Sequence, residues 1–118
     1  MARVIAFVPD LLFGSQLQGA LRAAGHQVEL AADTAAVRGK LDGADVLVVD
    51  LTDAAVERLD QVAALIADGA LASAKTLAFY SHVEAQTRAL AESAGIDVVV
   101  ARSRMAREAP ELVARLAD

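Results

Sequence analysis

The chain has no cysteine and no tryptophan, only four aromatic residues, two prolines and no long apolar run. Without cysteine there is no disulfide and no thiolate metal site. No hydrophobic stretch approaches the ~18 residues that a membrane-spanning helix needs. With aromatics at 3%, the interior has to be built from Leu, Val, Ile and Ala packed in layers. Basic charge is scarce as well. Eleven Lys and Arg stand against sixteen Asp and Glu, for a net charge of −5 and no basic block. That balance argues against nucleic acid as a partner, because such binding rests on neutralising phosphates. The opening Met1-Ala2-Arg3-Val4-Ile5 leads directly into a strand-like segment with no signal-peptide pattern. The expectation is a cytoplasmic protein that uses neither membrane nor nucleic acid.

What the chain does have is alternation. Its 118 residues fit one domain, 1–118, and 56% of them are apolar. A chain of this length buries roughly 65% of the surface its unfolded state exposes. The run Ala44-Asp45-Val46-Leu47-Val48-Val49-Asp50 reads as a strand buried on both faces and closed by an acid. Four more strand-like segments surround it: Val4 to Val8, Gln27 to Ala31, Thr76 to Tyr80 and Ile96 to Ala101. Helical spacing fills the gaps. Phe13, Leu17, Ala20, Leu21 and Ala24 form one face, with Asp10 before it as a cap. Asp33-Thr34 caps a short second helix carrying Val37 and Leu41. Asp53 is placed to cap a third, with Val56, Leu59, Val62 and Ile66 on one side. A fourth carries Val83, Thr87, Leu90, Ala91 and Ala94. Pro110 suits the first turn of the last, with Leu112, Val113 and Leu116 facing inward.

Five strictly alternating strand–helix units imply a doubly wound parallel sheet with helices on both faces, an α/β three-layer sandwich. Right-handed crossovers leave few topologies. The short second strand, which carries Glu29, suits an edge, and the order 2-1-3-4-5 follows.

In such a sheet, ligands sit beyond the carboxyl ends of the strands. That rim gathers Asp10, Asp50, Thr52, Asp53, Ser81, His82, Arg102, Ser103 and Arg104. Two carboxylates, hydroxyls and a guanidinium in one place are a donor set for a hard cation such as Mg²⁺ and for a phosphoryl group. An aspartate beside such a metal can accept the phosphoryl. Each residue also has a structural reading. Asp50 can pair with an arginine or favour a helix N-terminus. Asp10 can be only a cap, and Ser81 a loop residue. The cluster Arg102-Ser103-Arg104 with Arg107 reads as a solvated loop or an anion site. His26, beside Gly25 at a turn, is expected to face solvent. Leu11-Leu12-Phe13 opens a helix with three consecutive apolar residues, which one helix face cannot bury together.

These positions resemble the response-regulator receiver family, over the whole chain. Val8-Pro9-Asp10 stands where receivers carry an acidic pair. Asp50 stands at their phosphorylated aspartate, and Ser81, in Phe79-Tyr80-Ser81-His82, at their switch hydroxyl. Arg102, after Val98-Val99-Val100-Ala101, stands near their lysine. The resemblance implies a flavodoxin/receiver-like fold. It also implies Asp50 as phosphoacceptor, Asp10, Asp50 and Thr52 (through its carbonyl) as ligands of Mg²⁺, and Ser81 with Arg102 or Arg104 binding the phosphoryl oxygens. Three positions depart from the pattern. Pro9 replaces the first acid. Arginine replaces the lysine, with no Lys-Pro step after the fifth strand. Val99 stands where many receivers carry an aromatic. The reading that follows is a stand-alone receiver-like signalling domain with a degenerate site and no bound cofactor, acting on protein partners. A homodimer through the fourth helix, fifth strand and last helix is part of that reading. The alternatives are a single-domain regulator phosphorylated on Asp50 with Mg²⁺, and a binder of a small anionic ligand. No Walker A, G-x-G-x-x-G or G-x-S-x-G pattern is present, so no enzymatic activity is expected.

Overall fold

The computed structural model describes residues 1–81 and 85–118. The elements alternate without exception: β1 (Arg3–Phe7), α1 (Leu11–Ala23), β2 (Gln27–Ala31), α2 (Thr34–Lys40), β3 (Val46–Asp50), α3 (Ala55–Ala67), β4 (Lys75–Tyr80), α4 (Ala85–Ser93), β5 (Val98–Ala101) and α5 (Arg102–Ala117). All strand pairs are parallel, in the order β2-β1-β3-β4-β5. Fold class and strand order are as the sequence predicts. The helices cover both faces. Val4, Ala6, Val46, Val48, Leu77 and Phe79 point to one side and meet Phe13, Leu17 and Leu21 of α1 and Met105, Leu112 and Val113 of α5. Ile5, Phe7, Leu47, Val49 and Ala78 point to the other side and meet Val37, Leu59, Val62, Leu65 and Ala91. Every β3 residue is buried. Each large aliphatic side chain so buried contributes about 1.5–3 kcal/mol.

Local signals set most boundaries. The Asp10 carboxylate accepts the Phe13 N–H at 3.0 Å, and Asp33 accepts the Ala36 N–H at 2.8 Å, so both cap their helices as expected. Gly25 closes α1 with φ of +94°, and a Cβ there would stand 3.0 Å from the Met1 Cε.

Five expectations are corrected. Pro110 lies inside α5, not in its first turn. The helix begins at Arg102, immediately after β5, because Met105 and Ala109 continue the apolar face of Leu112 and Val113 backwards at i and i+4 spacing. Arg102 to Arg107 is therefore helix, not loop. Asp53 does not cap α3. The N-cap is Ala54, in a left-handed conformation (φ 50°, ψ 45°) with no side-chain cap bond, and Asp53 stays one residue outside. His26 is buried, not solvent-facing, and its Nδ1 accepts the Ala2 N–H at 3.3 Å. Strand five is also shorter than expected, since Asp97 leaves the ladder to bond Thr76, accepting from its N–H and hydroxyl. His82 and Val83 lie outside the described residues.

At the end of the sheet opposite the strands' carboxyl termini, Arg3 ties three elements. Its Nη1 donates to the carbonyls of Lys40 (2.7 Å) and Asp42 (2.8 Å), and its Nη2 meets Glu29 at 2.9 Å. Hydrogen bonds from a charged donor contribute about 1.5–3 kcal/mol where partly buried, less where water screens them. Replacing Arg3 with Met is expected to lower stability by about 2 kcal/mol, read as a lower urea midpoint at unchanged slope. Lys at the same place restores little, because an ammonium cannot reproduce the guanidinium fork.

A second pair joins the ends of α2 and α3. Arg38 hydrogen-bonds Asp68, and this bond, with the Ala70 N–H, holds the Asp68 carboxyl below its ordinary 3.8 although desolvation opposes it. A lowered folded-state value means the pair stabilises the fold above the ordinary carboxyl range and fades as acid protonates Asp68. Arg38→Ala is expected to move the Asp68 titration upward by NMR, and an unchanged titration would refute the assignment.

Candidate functional site

The parallel sheet brings its five strand ends to one rim, and the first polar residue beyond β1 is Asp10. One of its oxygens is used in capping α1. The other, Oδ2, lies 3.5 Å from Nη2 of Arg102, the first residue of α5. The Arg102 guanidinium carbon lies over the Phe13 ring, 4.4 Å from its centroid. Phe13 in turn packs on buried Phe79 at 4.9 Å, with their planes at 44°. An arginine, a carboxylate and two aromatic rings thus form one stack running from the rim into the core. Charge and ring contacts of this half-exposed kind contribute about 1 kcal/mol each at most. Their effect is to fix where the guanidinium sits.

Asp50 ends β3 and is 5% exposed. Its Oδ1 accepts two bonds from Thr52, the backbone N–H at 2.8 Å and the hydroxyl at 2.6 Å. This closes a tight Asx-type turn. Below it, Arg58 of α3 reaches back to the Asp50 carbonyl at 3.5 Å and lies 4.6 Å over the Phe7 ring. Two arginines, each laid on a phenylalanine, therefore flank the two aspartates.

Between α1, the β3–α3 turn, the end of β4 and α5 lies a cleft of about 630 Å³. Asp10, Thr52, Asp53, Ser81, Arg102 and Ser103 line it, with Phe13 and Ala106 as its apolar wall. Of the residues singled out in the sequence, Asp10, Thr52, Asp53, Ser81, Arg102 and Ser103 meet there. Asp50 lies behind Thr52, bonded to it. Arg104 is not in the cleft; it points along α5 to Glu108 at 3.5 Å, and Arg107 reaches the same carboxylate. Arg102 is thus the arginine at the rim. Arg58 was missed by sequence reasoning. Its signal was an arginine in the first turn of α3, eight residues beyond Asp50, with a phenylalanine ending the neighbouring strand, which spacing alone does not connect.

The donor set can be compared with what a divalent cation needs. Mg²⁺ takes oxygen ligands and is held by one or two carboxylates together with waters. Asp10 is engaged by the α1 N-terminus and by a fixed positive charge. Asp50 is engaged by Thr52. Among the described residues, no three Asp, Glu or His side chains come together as a metal cluster. Both rim carboxylates thus already have local partners in this structure.

Neither the comparison with protein families nor that with curated proteins gives a match. Solved structures do. A response regulator from Thermotoga maritima superposes with a TM-score of 0.82 at 15% identity, over 99% of this chain and 98% of that one. The Vibrio cholerae chemotaxis protein CheY4 gives 0.81 at 19% identity, over 98% of each chain. A Burkholderia pseudomallei response regulator solved with a phosphorylated aspartic acid, a calcium ion and citrate gives 0.72 at 19% identity, over 98% of this chain and 72% of that one. The fold is that of response-regulator receiver domains.

The Asp50–Thr52 turn yields a direct test. Thr52→Val keeps the shape and removes the 2.6 Å bond to a buried carboxylate. The expected loss is about 1.5–3 kcal/mol, measured by chemical denaturation. A change within error would show that the hydroxyl carries no weight there.

Proposed function

We propose that this chain is a receiver-like signalling module that acts through contacts with other proteins and does not run a metal-dependent aspartyl-phosphate cycle. The observation that carries the reading is Arg102. Its guanidinium sits against Asp10 and over Phe13, with Pro9 in place of a second acid. A cation and a guanidinium would compete for one carboxylate, and like charges a few ångströms apart are costly.

A small anionic ligand is favoured less. Among the described lining residues the cleft has two carboxylates, Asp10 and Asp53, and one guanidinium. Phosphate recognition prefers the opposite balance. Pairing of two copies through α4, β5 and α5 belongs to the leading reading. β5 is a free edge of the sheet and only four residues long, so association there rests on helix faces more than on strand addition.

The test is a phosphodonor assay. Incubated with Mg²⁺ and a small phosphodonor such as acetyl phosphate, the chain is expected to keep its intact mass, with the same light-scattering mass before and after. Gain of one phosphoryl group, abolished by Asp50→Asn, would overturn the reading and make the chain a working phosphoacceptor. A strict monomer at high concentration would remove self-association from it.

A further inference from the structure

On the opposite side of the β3–α3 turn from the rim cleft lies a second hollow. It runs between the N-terminal ends of α3 and α4 and measures about 370 Å³. Its floor is Leu51, which is buried. Its walls are Ala55 and Val56 of α3 and Gln86, Thr87 and Leu90 of α4. Val56 is 58% exposed and Leu90 50% exposed, both far above what the interior helix faces show. Large aliphatic side chains left open on two facing helices mark a contact surface more often than scattered single exposures do.

Charge identifies what fits there. The described lining contains two carboxylates, Asp53 and Glu57, and no basic side chain. Asp60, one turn further along α3, is exposed and extends the negative charge. Arg58, the nearby base on α3, is turned inward onto Phe7. The groove is therefore apolar in its centre and acidic along one side. A second copy of the chain is a poor occupant. Its own exposed apolar pair, Leu11 and Leu12, directly follows Asp10 and would bring a further carboxylate to an acidic wall.

We propose that the α3–α4 groove docks a basic peptide segment of a partner protein, with one aliphatic or aromatic anchor between Val56 and Leu90 and flanking Lys or Arg on Asp53 and Glu57. This deepens the proposed function and rests on its premise that the chain works through protein contacts. A groove of this size holds one or two anchor side chains, so the contact is a small, transient one.

The test is an NMR titration of the full chain, with labelled methyl groups, using a synthetic amphipathic peptide of Leu and Lys. The control peptide has Glu in place of Lys. Shifts are expected on Val56 and Leu90 with the Lys peptide, weakening as salt rises, and not with the Glu peptide. Val56→Ser with Leu90→Ser, and separately Asp53→Asn with Glu57→Gln, are each expected to weaken binding on the order of tenfold. Val56, Leu90, Asp53 and Glu57 are all exposed, and an unchanged thermal midpoint shows that the variants remain folded. No shifts, shifts centred on Leu11 and Leu12, equal binding of the Glu peptide, or variants that bind like the parent would each overturn the proposal. Dimerisation abolished by Val56→Ser would overturn it in favour of self-association. These failures are separate from that of the functional reading, which falls only if Asp50 takes up a phosphoryl group.

Discussion

A parallel sheet sealed by helices on both faces leaves its polar residues one productive place to gather. β3 is the constraint in this chain. All five of its residues are buried, and the last is a carboxylate. Its neighbours β1 and β4 are nearly as apolar. Backbone groups inside the sheet are used up by the ladders, so the polar chemistry that remains has to sit where strands end. Because every strand runs the same way, those ends share one rim. Asp10, Thr52, Ser81 and Arg102 come from four separate segments, and meet only because the crossovers all wind in one sense.

Within that rim, one positive charge is held from two sides. Arg102 is held by a ring on one side and a carboxylate on the other, and the ring is itself packed on Phe79. Neither contact is strong alone. Together they make the guanidinium a fixed feature, where a lysine would remain a mobile point charge. The guanidinium beside Asp10 supplies that carboxylate with a positive partner. The buried Asp50 is satisfied independently, by its own turn. The two aspartates thus each have a separate local partner.

Much of this was legible in the sequence, for physical reasons that differ by element. Strands buried on both faces give unbroken apolar runs, so β1, β3 and β4 stood out. Caps act over three residues, so Asp10 and Asp33 were readable. Where the deciding contact is long-range, local patterns failed. Pro110 looked like a helix start because proline favours that place. The inward-facing Met105 and Ala109 outweigh the missing hydrogen bond, and the carbonyl left over belongs to exposed Ala106. His26 looked like a turn residue, but its partner is the backbone of Ala2, twenty-four positions away. Asp53 looked like a cap, but the Asx turn at Asp50 places the chain so that Ala54 enters α3 instead. Arg58 could not be read at all, since its stacking partner Phe7 belongs to another strand.

The β3–α3 turn deserves its own argument, because it is the common wall of two hollows. Thr52 and Asp53 line the rim cleft and the α3–α4 groove alike. The turn is braced on one side by Asp50, whose oxygen holds Thr52. On the other it contains Ala54 with φ of 50°, a conformation that costs a non-glycine residue about 1–2 kcal/mol. The brace therefore works against local strain. Whatever alters the Asp50–Thr52 bond releases a turn that is already unfavourable, and the same two residues then shift in both hollows. A partner seated against Asp53 in the groove would act on that bond from the other side. Linkage between two such hollows is reciprocal by thermodynamic necessity. Residues 50–54 thus stand between the rim and an outward-facing surface.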